Sequence, residues 1–297
     1  MTTFLMIRRS DNRLLDLFLD FTRWFTGTKS FVLTSLGKQN GTWAILRSAL
    51  ENFPALTELT LGGEYSYNME LGKVLEILGD MWSSRIRTLK LAGISTSGDS
   101  SVLRQLQLQA ETASFTTLKI RSFLQTPKVL EDLVRWPASL ESFDLKYTFG
   151  ACYSRTGLSI EWSLNTLQPI LAIHRTTLQS ISIRCINFGG LTDFDVRDFP
   201  NLQELRLSEA TTSPRYRNST ADAHLIPNLI APRLRVFHWD LTLEDQQCSE
   251  SLGSFAQKEE DFLRAVAHEA IKVKCPLRML RVTYTPDTWL ESDIKYP

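Results

Sequence analysis

The sequence predicts an α/β solenoid: irregular repeats stacked into a horseshoe-like array, with parallel strands on the concave face and helices on the convex face. Three observations carry this. The segment Phe199-Pro200-Asn201-Leu202-Gln203-Glu204-Leu205-Arg206-Leu207 has a near-copy far upstream, Phe53-Pro54-Ala55-Leu56-Thr57-Glu58-Leu59-Thr60-Leu61. Its core, apolar-x-x-apolar-x-apolar, recurs along the chain at intervals of about 24–43 residues, and self-similarity on that scale marks stacked repeats. Segments of helical period fill the gaps, and strands alternating with helices imply a parallel sheet.

Taken in order, Leu14, Leu15, Leu17, Phe18 and Phe21 predict an opening helix, and Ser30 to Thr34 a strand. Residues 1–40 form a degenerate N-terminal cap repeat. Residues 41–285 hold eight repeats: Leu56/Leu59/Leu61, Ile86/Leu89/Leu91, Phe115/Leu118/Ile120, Leu140/Phe143/Leu145, Leu178/Ile181/Ile183, Leu202/Leu205/Leu207, Leu234/Phe237/Trp239 and Leu277/Leu280/Val282. The last two apolar residues of each triplet alternate with other side chains, the period of a strand with one buried face.

Between them, Thr42 is a candidate cap for a helix burying Ile45, Leu46, Ala49, Leu50 and Phe53. Asn68 precedes Leu71, Val74, Leu75, Leu78 and Trp82; Val102, Leu103, Leu106 and Ala110 make a third helical stripe. Thr126-Pro127 opens a helix carrying Val129, Leu130, Leu133, Val134 and Trp136, since proline suits the first helical position. Leu164, Leu167, Ile170, Leu171 and His174 mark a fifth, with Pro169 expected in its first turn, and Phe262, Val266, Ala270 and Val273 a sixth. Proline ends these helices: Phe53-Pro54, Trp136-Pro137, Phe199-Pro200, Ala231-Pro232 and Cys275-Pro276 each stand just before a triplet. The rhythm breaks near 146–162, 208–223 and 243–258, read as surface insertions, and 286–297 serves as a C-terminal cap. One domain, 1–297, is expected.

The 33 basic and 33 acidic residues cancel, which weighs against a general nucleic-acid binder. Cys152, Cys185, Cys248 and Cys275 form no Cys-x-x-Cys pair, so no zinc knuckle or redox motif is indicated; scattered thiols fit a reducing compartment. No signal-peptide pattern and no membrane-spanning apolar run occurs. An intracellular protein, cytoplasmic or nuclear, is the expectation.

The repeats resemble leucine-rich repeats, with helix-containing lengths like those of the ribonuclease-inhibitor and F-box types. The tail, Lys258-Glu259-Glu260-Asp261-Phe262-Leu263-Arg264 and Leu280-Arg281-Val282-Thr283-Tyr284-Thr285-Pro286-Asp287, is similar to fungal F-box leucine-rich-repeat proteins. The repeat resemblance covers nearly the whole chain; the tail resemblance is short. It implies a protein-binding solenoid, the substrate-recognition part of a ubiquitin-ligase receptor. Two departures count. The family pattern places Asn or Cys three residues beyond the final strand leucine, where this chain has Glu64, Ile94, Phe123, Thr148, Ile186, Ala210, Thr242 and Thr285. No F-box module is found in the chain, so a Skp1-type adaptor is expected only if one is encoded upstream.

Catalytic chemistry finds no support. His268-Glu269 lacks the second histidine of a zinc-protease motif, Lys272 standing three residues on, and reads as an exposed pair. Gly72-Lys73 lacks the rest of a phosphate loop, Gly62-Gly63 reads as a turn, and the four histidines have no metal-ligand spacing. The chain reads as no enzyme, with no cofactor and no metal. A site within the insertions is the enzymatic alternative, and a scaffold unrelated to ubiquitin the alternative within the binding class. The informative residues lie between the core leucines and face away from them. This face holds seven cationic and four acidic residues in a neutral chain. Lys90, Lys119, Arg121, Asp144, Lys146, Arg184, Glu204, Arg206, His238 and Arg281 are the candidate partner-binding residues. Lys119, Arg121, Lys146, Arg184 and Arg206 are expected to matter most, for an acidic or phosphorylated protein.

Overall fold

The computed structural model describes residues 2–5, 20, 22–34, 40–63, 69–80, 85–94, 104, 106–123, 125–146, 163–184, 194–208, 223–240 and 257–283. They belong to two compact units, Met1–Lys146 and Tyr147–Pro297. The boundary falls where the sequence marks its first insertion.

In the first unit the described elements run β1 (Thr2–Leu5), β2 (Ser30–Leu33), α1 (Asn40–Asn52), β3 (Glu58–Leu61), α2 (Leu71–Asp80), β4 (Thr88–Ile94), β5 (Thr117–Phe123), α3 (Pro127–Arg135) and β6 (Ser142–Lys146). The strands pair in chain order and all in parallel. In the second unit come α4 (Leu164–Ala172), β7 (Ser180–Arg184), β8 (Glu204–Ser208), a 3-10 helix (Ala223–Leu229), β9 (Val236–Asp240), α5 (Gln257–Lys272) and β10 (Met279–Thr283). Strands β7 to β10 also pair in order and in parallel. Each unit is thus α/β, built of strand–crossover repeats.

Register sets the triplets level with one another. Leu59, Leu89, Leu118 and Phe143 align across β3 to β6, as do Ile181, Leu205, Phe237 and Leu280 across β7 to β10. All but Leu280 are fully buried. The helices cover this face: Phe31 of β2 meets Phe53 just after α1 at 5.8 Å, and Trp239 of β9 meets Phe262 of α5 at 4.4 Å. The predicted stripes Ile45/Leu46/Ala49/Leu50 and Leu71/Val74/Leu75/Leu78 are buried, as are Val129/Leu130/Leu133/Val134 and Leu164/Leu167/Ile170/Leu171. So are Leu106, Trp43 and Trp136.

One backbone device repeats at the strand entrances. The Lys29 carbonyl accepts the N–H groups of Thr57 and Glu58 at 2.9 and 3.0 Å. The carbonyls of Thr57, Arg87 and Thr116 do the same for the next residue pairs in the first unit, and those of Gln179, Gln203 and Arg235 in the second. The repeated bonds run between main-chain atoms, with Thr57 Oγ1 adding a side-chain donor to the Lys29 carbonyl at 3.2 Å, so side chains at the other entrances can vary without loss of the repeat. Proline punctuation has a specific form as well. The Leu56, Leu202 and Leu234 N–H groups donate to the carbonyls of Phe53, Phe199 and Ala231 at 3.1, 3.2 and 3.1 Å. Each is a turn with proline at its second position, where the fixed φ is already correct.

Several expectations need correction. The N-terminal stretch contributes a strand, β1, which an apolar run of four residues did not announce. Helix α1 starts at Asn40, so Thr42 lies inside it rather than capping it. Pro169 sits inside α4, beyond its first turn. Ser163 caps that helix by accepting the Thr166 N–H at 3.1 Å, which fixes the start at Leu164 and leaves the proline in the interior. Val273 lies past the end of α5 and is exposed, and so is Leu280 at the last strand of the second unit, with no further described strand beside it. Residues 6–19, Phe21, Asn68, Trp82, Val102, Leu103 and residues 286–297 lie outside the described residues, as do nearly all of 146–162, 208–223 and 243–258.

The positions where the resembled pattern carries Asn are filled differently in β4 and β5. Gly93 (φ 71°) and Ser122 (φ 52°) stand level in the register and are left-handed. Past them Ile94 and Phe123 pair and are fully buried. Apolar packing closes these two turns where the resembled pattern uses an amide.

Candidate functional site

The strand residues between the core positions form one polar face in each unit. In the first, Thr60, Lys90, Lys119 and Asp144 stand in one row across β3 to β6, and Arg121 is level with Lys146 one pleat further on. Neighbouring strands lie about 4.8 Å apart, so side chains in a row are within reach of each other. Lys90 forms an ion pair with Glu58 of the preceding strand. Both partners are about one-third exposed, so the pair contributes at most about 1 kcal/mol. Lys119 has no ion pair among the described residues and is partly exposed, as are Arg121 and Asp144. Lys146 is buried.

In the second unit Ser182, Arg206, His238 and Arg281 form a row across β7 to β10. One pleat further lie Arg184, Ser208, Asp240 and Thr283. Arg206 Nη2 donates to Asp240 Oδ2 at 2.5 Å, and His238 Nε2 lies 2.7 Å from Thr283 Oγ1. Arg184, Ser208, His238 and Asp240 are buried, with Asp240 only 2% exposed; Arg206 is partly open and Arg281 exposed. Glu204 is partly exposed, one pleat nearer the strand starts. His238 is held neutral: burial, with the charges of Arg206, Arg281 and Arg184, pushes its pKa down to about 4, and Asp240 only partly offsets this.

Seven of the ten predicted residues therefore lie partly or fully open: Lys90, Lys119, Arg121, Asp144, Glu204, Arg206 and Arg281. Lys146, Arg184 and His238 do not, and cannot act as open surface contacts. A period of two tells which face a side chain takes, while exposure depends on what lies over that face. Sequence reasoning passed over Ser182, Asp240 and Thr283 as site residues. Their only signal was position: Ser182 is level with Arg206 on the next strand, and Asp240 is level with Ser208 and Thr283.

Elsewhere several charged groups pair with each other. A cavity of about 240 Å³ is lined by Leu106, Gln107, Ala110, Lys128, Glu131, Asp132 and Arg135. There Lys128 bridges Glu131 and Asp132 at 3.1 and 3.0 Å, and Arg135 holds Glu131 at 2.8 Å, keeping that carboxyl below its usual range. His268 is exposed as expected, whereas Glu269, which pairs with Lys272 at 3.0 Å, has only 15% of its side chain exposed. Among the described residues no three His, Cys, Asp or Glu side chains group as metal ligands, and no helix is long and apolar enough to cross a membrane.

Neither the family models nor the curated proteins compared with the chain gave a match.

Proposed function

We propose that the chain is a leucine-rich-repeat solenoid that binds an acidic or phosphorylated protein through the polar face of its strands. The observation that carries this is a cation excess on that face in each unit taken separately. Among the partly or fully open residues, Lys90, Lys119 and Arg121 stand against Glu58 and Asp144 in the first, and Arg206 and Arg281 against Glu204 in the second, where Asp240 is buried. The excess stands out because the chain as a whole is neutral. Arginine and lysine donors suit carboxylate and phosphate acceptors, and a fixed row of strands presents them at regular spacing. A role as the substrate-recognition part of an F-box-type ubiquitin-ligase receptor rests on the resemblance alone; a free-standing intracellular scaffold is the other reading of the same face.

The test compares the proteins recovered by the wild-type chain and by a Lys119→Glu/Arg121→Glu variant, both side chains being partly exposed so that reversal need not disturb folding. Acidic or phosphorylated partners should be lost from the variant. An unchanged set, with thermal unfolding also unchanged, contradicts the proposal. A Skp1-type adaptor among the recovered proteins decides for the receptor over the scaffold.

A further inference from the structure

Strand β10 ends the run of described strands in the second unit, and there the repeating backbone device is left incomplete. The carbonyls of Gln179, Gln203 and Arg235 each receive two main-chain N–H groups from the strand that follows, Arg235 from Arg278 and Met279 at 3.0 and 3.2 Å. The next carbonyl in that series belongs to Arg278, and among the described residues no main-chain donor reaches it. Burial changes at the same strand. Leu280 and Val282 are level with the buried Phe237 and Trp239, yet Leu280 is exposed and Val282 half-buried. Among the described residues of the second unit, the exposed large apolar side chains are Ile271, Val273, Met279 and Leu280, all between the end of α5 and the middle of β10.

Charge is one-sided along this stretch. From Ile271 to Thr283 the chain has Lys272, Lys274, Arg278 and Arg281 and no acidic residue. Lys272 pairs with Glu269, whereas Lys274, Arg278 and Arg281 are exposed and form no ion pair among the described residues. Arg235, at the entrance of β9 beside Arg278, is exposed as well. An open strand edge flanked by apolar side chains is a template for another strand, and unneutralised cations set which strand it accepts.

We infer that the outer edge of β10 docks an extended segment of a partner protein in which apolar and acidic residues alternate. The segment adds as a further parallel strand, with N–H groups of its main chain on the Arg278 carbonyl, which is the mode of recognition a strand edge offers. Register then dictates its side chains. Positions level with Leu280 and Val282 fall on the apolar side, and the position between them falls beside Arg281. An acidic residue is favoured there and a basic one opposed, since opposite charges on adjacent strands attract and like charges repel. The edge therefore selects apolar-acidic-apolar. Charge also decides against a second copy meeting this one edge to edge, because each would bring the same acid-free stretch with Arg278 and Arg281. The inference does not rest on the polar-face reading: its contacts are the main-chain edge and the core-side Leu280 and Val282, and only Arg281 is common to both.

The probe is a fluorescently labelled peptide of alternating valine and aspartate, about eight residues long to match a strand. Anisotropy titration with the full chain should show saturable binding. A peptide alternating valine and lysine, and a copy of the acidic peptide N-methylated throughout to remove its main-chain donors, should each bind at least about tenfold more weakly. Leu280→Gln changes no charge and lies at an exposed position, so the fold is kept; it should weaken the acidic peptide by about tenfold. Arg278→Glu/Arg281→Glu should reverse the preference toward the lysine peptide. No saturable binding, equal binding of the methylated copy, or unchanged affinity in Leu280→Gln overturns the inference. So does a preference for the acidic peptide that survives in a folded Arg278→Glu/Arg281→Glu. Binding that appears only after residues 284–297 are removed assigns the edge to the chain's own tail, and a dimer that Leu280→Gln dissociates assigns it to a second copy; either result overturns the partner segment.

Discussion

Gly62 follows β3 at φ +87°, and a Cβ built there would stand 1.8 Å from the Ala92 carbonyl oxygen. Both the left-handed backbone and the contact with the next strand demand glycine. Gly62→Ala should lower stability by at least about 2 kcal/mol in urea unfolding, since neither strand backbone can retreat without breaking the ladder. A second residue-scale test concerns His238. Its pKa in the folded chain is about 4, below the ordinary value of 6.5, so between these values the unfolded chain binds the extra proton. Stability from this group is complete above about pH 6.5 and falls as pH drops toward 4, by roughly 2–3 kcal/mol in all. The carboxylates held low by arginine, Glu131 and Asp195, contribute a loss of the same sign only at lower pH. Chemical unfolding at a series of pH values should show the slope between about pH 5 and 6.5 in the wild type and a flat profile there in His238→Gln.

At the scale of the element, the triplets separate cleanly into those that hold the core and the one that does not. Leu205 is fully buried, and Leu205→Ala should cost about 2–5 kcal/mol; Leu280 is 36% exposed, and Leu280→Ala should cost less than about 1 kcal/mol. The two midpoints in urea check this directly. All eight triplet strands were legible because alternation across a half-buried strand leaves a mark in the sequence. Helix interiors were legible for the same reason: the stripes of α2 and α3 are the ones the spacing names. Helix starts were less so. Thr42 and Ser163 are both good capping residues, and only local hydrogen bonding decides which one is used. Strand β1 left no mark because four residues at a chain end carry too little alternation to separate from chance.

For the molecule as a whole, the repeat is kept by main-chain hydrogen bonds from one strand entrance to the next, which explains how it survives without the Asn positions of the resembled pattern. This also frees the residues between the core leucines to differ from strand to strand, and there the cations collect. Of the candidate site, the face and its charge were legible, since both follow from a period of two. Burial of Lys146, Arg184 and His238 was not, because alternation tells which face a side chain takes and not what lies over it. The central claim is that partly open cations on this face choose the partner. It is tested most directly by measuring the affinity of a recovered partner for the wild type, for Lys119→Glu/Arg121→Glu, and for the charge-preserving Lys119→Arg/Arg121→Lys. The reversed variant should bind at least about tenfold more weakly and the charge-preserving one within a few-fold of wild type. Equal affinity for all three, with folding intact, would contradict the account.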